Sequence, residues 1–355
     1  MMRCQSVDGY DQGHYNEFLH GEISVFRTDK GFLKHMFVSF APLEGITNQI
    51  YRQAHARLFP GIDRYYSPFI TPTQGRRLTT RELTDVDPEN NRGIRLVPQL
   101  LTNNADDFLW CAGKLKEMGY DEVNLNLGCP SGTVFTKGKG SGMLKDPENL
   151  RVFLSGIAEK CPVKLSVKTR IGVSEPEEFS LLLEIFRSLP LCELIVHPRT
   201  REQLYKGNVH REAFAQALSA CPFPVSYNGD LFSAEDVRAF QAEYPDAHAV
   251  MLGRGLIANP GLVCALKGDA PGKDVYKRFA DEVLEGYLAL WRDQTAVAFH
   301  LKEMWAYMIS LFPDSNKHAK AIRKANSIAA YRAAVDALFA DCELVPVEQW
   351  SFRRL

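Results

Sequence analysis

The chain has 355 residues, of which 45% are hydrophobic and 24% are charged, as in an ordinary globular protein. This length is too great for one minimal core and suits a barrel-sized domain with a smaller domain beside it. The formal net charge is −1, which excludes a polyanion partner recruited by overall charge, so any basic surface must be local.

The eight cysteines are scattered along the chain, and neither a CxxC pair nor a His/Cys spacing typical of zinc occurs. We therefore expect reduced thiols in a cytoplasmic protein, without a disulfide framework or a metal site. No apolar run reaches the length of a membrane span, and the N-terminus lacks the apolar region of a signal peptide. We therefore expect no membrane partner.

Residues 1–35 are polar and show no clear period, which indicates an N-terminal extension with little core of its own. Met36 stands directly before the first apolar run, so an alternative start at this residue is a second interpretation. Neither interpretation gives these residues a role in a site.

From Met36 onward, short apolar runs alternate with amphipathic helical patterns. The predicted strands cover residues 37–41, 65–70, 95–101, 123–127, 164–169, 193–196, 224–227 and 249–252. The predicted helix caps are Thr47, Asn103 or Asn104, Asp146 and Ser233. Eight such units over residues 36–266 predict an α/β fold, a TIM (β/α)8 barrel. A doubly wound open sheet is the alternative, and it ranks lower because no GxGxxG fingerprint follows the first strand.

Residues 267–275 form a predicted linker, because glycine and proline cluster there. Beyond it, helical periods cover residues 279–291, 295–311 and 317–339, and Pro313 separates the last two. These periods predict an all-α helical bundle over residues 276–345, followed by a tail at 346–355.

Polar side chains of the predicted barrel concentrate at the carboxyl ends of its strands. They are Gln99, Asn126, Cys129, Lys168, Arg170, His197, Arg199, Asn228, Asp230 and Arg254. Because the active sites of TIM barrels lie at that end, we expect these side chains to meet at one rim.

Cys129 ends the fourth predicted strand and precedes Pro130 and a long, glycine-rich segment that carries Lys137 and Lys139. We predict a mobile loop there and a functional cysteine at its start. The alternative is that Cys129 is a small apolar filler near a turn, since free cysteine is often buried.

Two glycine turns follow the last two predicted strands: Asn228-Gly229-Asp230, and Gly253-Arg254-Gly255. The corresponding loops of TIM barrels often bind phosphate, because glycines let backbone N–H groups approach the oxygens and an arginine adds charge. We predict a phosphate site at this pair, although either motif alone is more often a plain turn.

Lys168 ends an apolar strand, where an unpaired ammonium is costly, so it needs an anionic or electron-rich partner. A ligand ring would meet this need, and a salt bridge to Asp230 or Glu44 is the alternative. His197 precedes a basic cluster that includes Arg199, which an anionic ligand explains better than packing does.

Residues 315–332 carry five basic residues and no acid. Lys317, Lys320 and Lys324 fall on one helical face, and Arg323 adds to the charge. Together with Lys137 and Lys139 this face suggests a groove for a polyanion, while a merely solvated face is the alternative.

Six motifs resemble, in order, those of the tRNA-dihydrouridine synthases. They are APLEGITNQIYR, NLNLGCPSGTVFTKGKGSGML, SVKTRIG, VHPRTREQLYKG, SYNGD and MLGRG. The resemblance covers residues 36–265 and implies a TIM barrel that binds FMN and a helical domain that helps to hold tRNA. It also implies reduction of the C5–C6 bond of selected uridines, with electrons drawn from NADPH through the flavin. We expect a monomer of the short bacterial type.

The resemblance implies a role for each matching residue. Cys129 is similar to the general acid that protonates uracil C5 while flavin N5 delivers hydride to C6. The expected flavin contacts are Pro42, Leu43, Gln99, Lys168 and His197, with Asn228, Gly229, Asp230, Gly253 and Arg254 on the phosphate side. Apart from the resemblance, we expect RNA contacts at Asn126, Lys137, Lys139, Arg170, Arg199, Lys317, Lys320, Arg323 and Lys324.

Small departures from the family pattern occur at Leu43, where many members have methionine, and at GSGML, where GAxLL is commoner. Two rival functions stay open at this point. One is a flavin-dependent barrel that acts on a free pyrimidine or an enone, and the other is a catalytically silent RNA-binding protein.

Overall fold

The computed structural model describes residues 26–28, 31–33, 36–73, 75–346, 350 and 352. The chain divides into two compact units, residues 1–36 and 37–355. In the first unit, β1 (Phe26–Thr28) pairs antiparallel with β2 (Gly31–Leu33). Most of the predicted N-terminal extension lies outside the described residues, and its role stays a prediction.

The second unit contains a parallel sheet that closes on itself. Its strands are β3 (Phe37–Phe40), β4 (Arg64–Tyr66), β5 (Leu96–Val97), β6 (Gln99–Leu100), β7 (Glu122–Leu127), β8 (Lys164–Arg170), β9 (Glu193–His197), β10 (Val225–Tyr227) and β11 (Ala249–Leu252). The order is β5-β4-β3-β11-β10-β9-β8-β7-β6, so both ends of the sheet belong to one stretch of chain interrupted at Pro98. Proline lacks the N–H that a ladder needs, which explains the interruption. Eight parallel strands therefore close a TIM barrel, which confirms the prediction and excludes the open sheet.

Helices connect the strands and surround the barrel. They are α1 (Gln49–Leu58), α2 (Thr80–Val86), α3 (Ala105–Glu117), α4 (Gly132–Thr136), α5 (Pro147–Ala158), α6 (Phe179–Arg187), α7 (Arg211–Ala220), α8 (Ala234–Glu243), α9 (Arg254–Ala258) and α10 (Leu262–Leu266). Apolar faces of the longer helices pack inward against the strands, as the periodicity predicts.

Predicted caps at Asn104, Asp146 and Ser233 are confirmed, since each side chain accepts an N–H from the first turn of its helix. The predicted cap at Thr47 is wrong. Asn48 caps α1, while the Thr47 hydroxyl accepts the Leu43 N–H at 2.8 Å. Thr47 thus shapes the turn before the helix instead of starting the helix.

The segment after β4 differs from the prediction. The strand predicted over residues 65–70 ends at Tyr66, and Ile70 makes a single bridge to Leu100. The polar run that follows contains α2, which begins with a reciprocal capping box between Thr79 and Glu82. That T-x-x-E spacing is a helix-start signal in the sequence, but few apolar residues follow it, so the apolar pattern alone does not predict the helix.

The glycine-rich segment after β7 is helical, so the prediction of a mobile loop is wrong. It forms α4 and then a 3-10 turn over Gly140–Lys145. Gly140 has φ +56, and a Cβ on Gly142 would lie 2.6 Å from the carbonyl oxygen of Phe135. The glycines therefore allow close packing of two backbone turns.

Four helices follow the barrel: α11 (Lys273–Leu290), α12 (Gln294–Met308), α13 (Asn316–Lys324) and α14 (Ile328–Asp341). The all-α prediction is confirmed, but the single helix predicted over 317–339 is two helices. Ser327 interrupts it, because its side chain accepts the Ala330 N–H and caps α14. Helix α11 also begins at Lys273, inside the predicted linker. No helix among the described residues is long and apolar enough to cross a membrane.

The amino-terminal end of the barrel interior holds a buried ion pair. Arg64 Nη2 lies 2.8 Å from Glu193 Oε1, and the Tyr66 hydroxyl donates to the other oxygen of Glu193 at 3.1 Å. Glu193 is 2% exposed, and the positive charge of Arg64 lowers its pKa against the effect of burial. This end of a TIM barrel serves stability, so the functional site is to be sought at the other end.

Candidate active site at the carboxyl rim of the barrel

A cavity of about 620 Å³ opens at the carboxyl ends of the strands. The structure brings eleven of the predicted residues to its wall. They are Pro42, Leu43, Asn126, Cys129, Lys168, Arg170, His197, Asn228, Gly229, Gly253 and Arg254. Pockets of this size hold cofactors and small ligands.

Other predicted residues do not line the cavity. Gln99 is fully buried beneath it, and Arg199 and Asp230 lie behind the wall formed by Arg254. Lys137 and Lys139 follow α4, and the remaining four basic residues lie on α13. These positions separate the predicted site into a cavity, a supporting layer and two basic surfaces.

Cys129 is held by a turn that Asn126 organises. One oxygen, Asn126 Oδ1, accepts the N–H of Gly128 at 3.0 Å and that of Cys129 at 2.8 Å. The Ser141 hydroxyl donates to the Cys129 carbonyl at 2.7 Å, so the 3-10 turn supports the same residue from its other side. The thiol is therefore presented to the cavity on a backbone that is hydrogen-bonded in both directions.

A chain of side-chain amides orients Asn126. Asn126 donates to Gln99 Oε1 at 2.7 Å, and Gln99 Nε2 donates to Asn124 at 2.8 Å. Asn124 in turn donates to the Ser166 hydroxyl at 3.0 Å. Each amide can take only one orientation in such a chain, so Gln99 determines which way Asn126 faces.

Arg170 uses its guanidinium to join two loops at the rim. Its Nε donates to the Gly128 carbonyl at 2.9 Å, and its Nη1 donates to the carbonyls of Thr200 and Leu204 at 2.8 Å each. The side chain is 1% exposed, and burial lowers its pKa to about 10. Arg170 therefore couples the cysteine turn to the loop after β9.

Lys168 and His197 supply titratable groups to the cavity wall. Burial, assisted by Arg170, lowers the pKa of Lys168 to about 7. Burial also holds the pKa of His197 well below its usual range, so the imidazole is neutral. Burial raises the pKa of the Cys129 thiol, which keeps it protonated at neutral pH.

Neither alternative partner for Lys168 is used. The Asp230 carboxylate forms ion pairs with Arg199 and Arg254, and the Glu44 carboxylate forms an ion pair with Arg81 at 2.9 Å. Among the described residues no carboxylate forms an ion pair with Lys168. Its amine therefore remains available to a ligand in the cavity.

Asp230 holds two arginines together. Arg199 meets both oxygens of this carboxylate, at 2.8 and 2.6 Å, and Arg254 Nη2 lies 2.6 Å from Oδ1. The Arg199 side chain is 2% exposed. Bidentate contact of this kind sets the orientation of a guanidinium as well as its charge. Asp230 thus orients the side chain of Arg254, which lines the cavity.

The glycine turns after β10 and β11 fit a phosphate. A Cβ on Gly229 would lie 2.1 Å from the Tyr227 hydroxyl, and one on Gly253 would lie 3.3 Å from Ala41 Cβ. The N–H groups of Gly229 and Gly253 donate to no acceptor among the described residues. With the Arg254 guanidinium nearby, these donors match the needs of a phosphoryl group.

Several cavity residues escaped the sequence reasoning. Glu303, Ala306 and Tyr307 reach the wall from α12, and Phe69 and Phe232 come from barrel loops. The sequence carries no signal for the α12 residues, because periodicity does not show which element a helix packs against. Tyr205, which lies in the VHPRTREQLYKG motif, also lines the cavity, and 48% of its surface is exposed.

The basic face of α13 is on the surface. Lys317, Lys320, Arg323 and Lys324 are all exposed, whereas Ile322 is buried. Within the described part of the chain, none of the four basic side chains forms an ion pair. Among the described residues there is also no cluster of three or more His, Cys, Asp or Glu that could hold a metal ion.

The closed barrel and its rim define a TIM-barrel protein whose pocket is lined by a cysteine and by several basic side chains. The family model described as dihydrouridine synthase (Dus) matches residues 39–351. The chain therefore belongs to the dihydrouridine synthase family, which confirms the resemblance seen in the sequence.

Curated relatives carry related names. A tRNA-dihydrouridine(16) synthase of Pseudomonas putida is 29% identical over 269 residues, or 74% of this chain and 82% of the relative. A probable tRNA-dihydrouridine synthase 1 of Synechocystis is 30% identical over 278 residues, or 77% of this chain and 74% of the relative. A solved structure of a morphinone reductase mutant in complex with tetrahydroNAD is 16% identical and covers 68% of this chain and 88% of that chain. Its TM-score of 0.49 is too low to support an argument.

Proposed function

We propose that this protein reduces the C5–C6 double bond of uridines in tRNA to 5,6-dihydrouridine, using bound FMN and electrons from NADPH. The observation that carries the proposal is one cavity lined both by the Cys129 thiol, whose pKa is raised by burial, and by the glycine turns and Arg254 that would bind a phosphate. Family membership and the names of the relatives support the substrate. FMN, when bound, supplies the hydride that the protein itself lacks.

The cavity offers a place for each part of FMN. Pro42 and Leu43 would supply an apolar surface for the ring system, and Lys168 and His197 line the same cavity. The phosphate would bind at Gly229, Gly253 and Arg254. Asn228 would line the path by which the phosphate enters, and its amide donates to the Met251 carbonyl at 2.7 Å.

Two predicted cofactor contacts take different roles in this proposal. The Asp230 carboxylate would repel a phosphate, so we assign it to orienting Arg199 and Arg254. Gln99 lies beneath the cavity, so we assign it to orienting Asn126 through their 2.7 Å hydrogen bond. Both act through another residue and not by touching the ligand.

Cys129 would donate the proton. A general acid must hold its proton at the working pH and lie next to the atom that receives it. The raised pKa of the thiol supports the first condition, and the position of Cys129 at the cavity where the uracil would bind supports the second. Asn126 and Ser141 hold the residue in place, so that the thiol loses little entropy when a uracil C5 arrives.

The RNA must deliver a base out of its stack to this cavity. The exposed ring of Tyr205 provides a flat surface for that base at the cavity mouth. The exposed cations of α13, with Lys137 and Lys139, would neutralise phosphates of the surrounding tRNA. Because the Pseudomonas relative is named for position 16, uridine 16 is the first position to examine.

The test is a reconstitution. Purified protein with FMN and NADPH is incubated with an unmodified tRNA transcript, and dihydrouridine is mapped along the RNA. We expect product in tRNA, and little with free uridine at the same concentration. Comparable turnover of free uridine would favour a small-molecule reductase, and tRNA binding without product or bound flavin would favour a silent RNA-binding protein. Replacing NADPH by NADH in the same assay tests the electron donor.

A further inference from the structure

We infer that the C-terminal tail, through Phe352, is a positioning element for the phosphate end of the cofactor site. This inference rests on the proposed function, because it assumes that Arg254 meets the FMN phosphate. It concerns a chain of aromatic contacts, here called the aromatic stack, that runs from the tail to Arg254. Its members are Phe352, Tyr307, Phe232, Arg254 and Tyr205.

The Phe352 ring stacks with rings from two parts of the fold. Its ring centroid lies 4.6 Å from that of Phe232, with an angle of 11° between the planes. It lies 6.1 Å from that of Tyr307, with an angle of 10°. Phe232 follows β10 of the barrel, and Tyr307 lies on α12, so the tail joins barrel and helices at the cavity wall.

The aromatic stack continues to Arg254, the residue predicted to bind the phosphate. The guanidinium carbon of Arg254 lies 5.2 Å from the centroid of Phe232 and 4.5 Å from that of Tyr205. Cation–π contacts of this kind orient a guanidinium over the ring face. Asp230 holds one edge of the same guanidinium at 2.6 Å. The direction in which the remaining N–H groups of Arg254 point therefore depends on the position of the Phe232 ring.

The tail is held in place at Val345 and at Trp350. The Val345 N–H donates to the Leu311 carbonyl at 2.8 Å, next to the end of α12. Trp350 is 5% exposed, so a large aromatic side chain is buried just before Phe352. Anchors at these two points direct Phe352 to the cavity wall.

If Phe352 positions Arg254, then loss of the Phe352 ring should weaken binding at the phosphate end of FMN and leave binding of the flavin ring unchanged. Without the Phe352 ring, Phe232 loses its stacking partner, and Arg254 loses the support that Phe232 gives. Of the contacts expected for the flavin ring, Leu43 and Lys168 are not members of the stack. The ring centroid of His197 lies 6.1 Å from that of Tyr205, at the end of the stack farthest from Phe352. The loss should therefore weaken binding of FMN and spare riboflavin, which has the same ring system and no phosphate.

The experiment measures binding of FMN and riboflavin to the full-length apoprotein, by quenching of flavin fluorescence. We expect Phe352→Ala to weaken FMN binding about tenfold, in the range of one lost aromatic pair, and riboflavin binding less than twofold. Phe352→Tyr keeps the ring and should retain the affinity of the unchanged protein. Phe299→Ala is the matched control, since Phe299 is 57% exposed on α12 and outside the stack.

The possible outcomes distinguish a failure of the inference about the tail from a failure of the proposed function. If the unchanged protein does not bind FMN more tightly than riboflavin, the phosphate assignment fails and the inference fails with it. If it does, but Phe352→Ala binds both flavins normally or weakens both equally, only the inference is overturned. Should Phe352→Ala fail to fold, Phe352→Leu fills much of the volume without a flat ring and carries the same expectation.

Discussion

Replacing Asp230 by asparagine tests how the anion end of the cavity is built. The change keeps the size of the side chain and removes the charge that compensates Arg199 and Arg254. In the unchanged protein three contacts of 2.6–2.8 Å join the carboxylate to these arginines. After the substitution, two cations face each other without an anion between them.

The burial of the partners sets the size of the effect. Breaking a buried ion pair by removing one partner costs about 3–5 kcal/mol. The side chains of Arg199 and Arg254 are 2% and 17% exposed, but that of Asp230 is 30% exposed. Because water reaches the carboxylate, we expect a loss at the lower end of this range, about 3 kcal/mol of the free energy of unfolding.

Equilibrium unfolding in urea measures this loss, with Asp106→Asn as the control. Asp106 is 78% exposed and lies 3.7 Å from Arg76, so its substitution should change the free energy by less than about 0.5 kcal/mol. Inorganic phosphate should recover stability in Asp230→Asn and add less to the unchanged protein, since the uncompensated arginines attract an anion. Equal unfolding midpoints for the two variants, or no response to phosphate, would refute the reasoning.

Four further predictions follow from the site. Cys129→Ala should lower dihydrouridine formation by about 10²–10⁴-fold with unchanged FMN binding, and undiminished product would remove the thiol from its role. Asn126→Ala leaves two N–H groups of the cysteine turn unpaired and should lower the free energy of unfolding by about 1–3 kcal/mol, read from urea unfolding. Burial lowers the pKa of Lys168 to about 7 from its ordinary 10.5, so the unfolded chain binds more protons between these values. The contribution of Lys168 to stability should therefore rise with pH across that window, and Lys168→Met should abolish this rise when unfolding is compared at pH 7 and 9. Lys320→Glu on α13 should weaken tRNA binding and flatten its salt dependence, whereas the matched exposed Lys160→Glu on the barrel should do neither.

Much of the site was visible in the sequence because its residues follow strands. A buried parallel strand is a short apolar run, and the next polar residues must emerge at the carboxyl edge of the sheet. Cys129 follows β7, Lys168 and His197 lie near the carboxyl ends of β8 and β9, and the structure places all three at one cavity. The alternation of strands and helices likewise determined the barrel.

Tertiary structure alone decided which groups face one another. The sequence predicts a phosphate contact at Asp230, and only the structure shows that its carboxylate also lies against Arg199 and Arg254. The sequence predicts a flavin contact at Gln99, and only the structure shows its hydrogen bond to Asn126. Periodicity shows which side of an element is buried, but not which distant residue covers it.

The contributions of α12 and of the tail illustrate the same limit. Tyr307 and Phe352 lie more than 50 residues from the strand ends that they approach in space, and neither sits in a motif. The sequence by itself determined the barrel, the reactive positions at its rim and the basic face of α13, because local patterns encode them. Only the folded chain could bring Phe352 to Phe232 and so complete the wall behind Arg254, because that contact depends on how helices dock on the barrel.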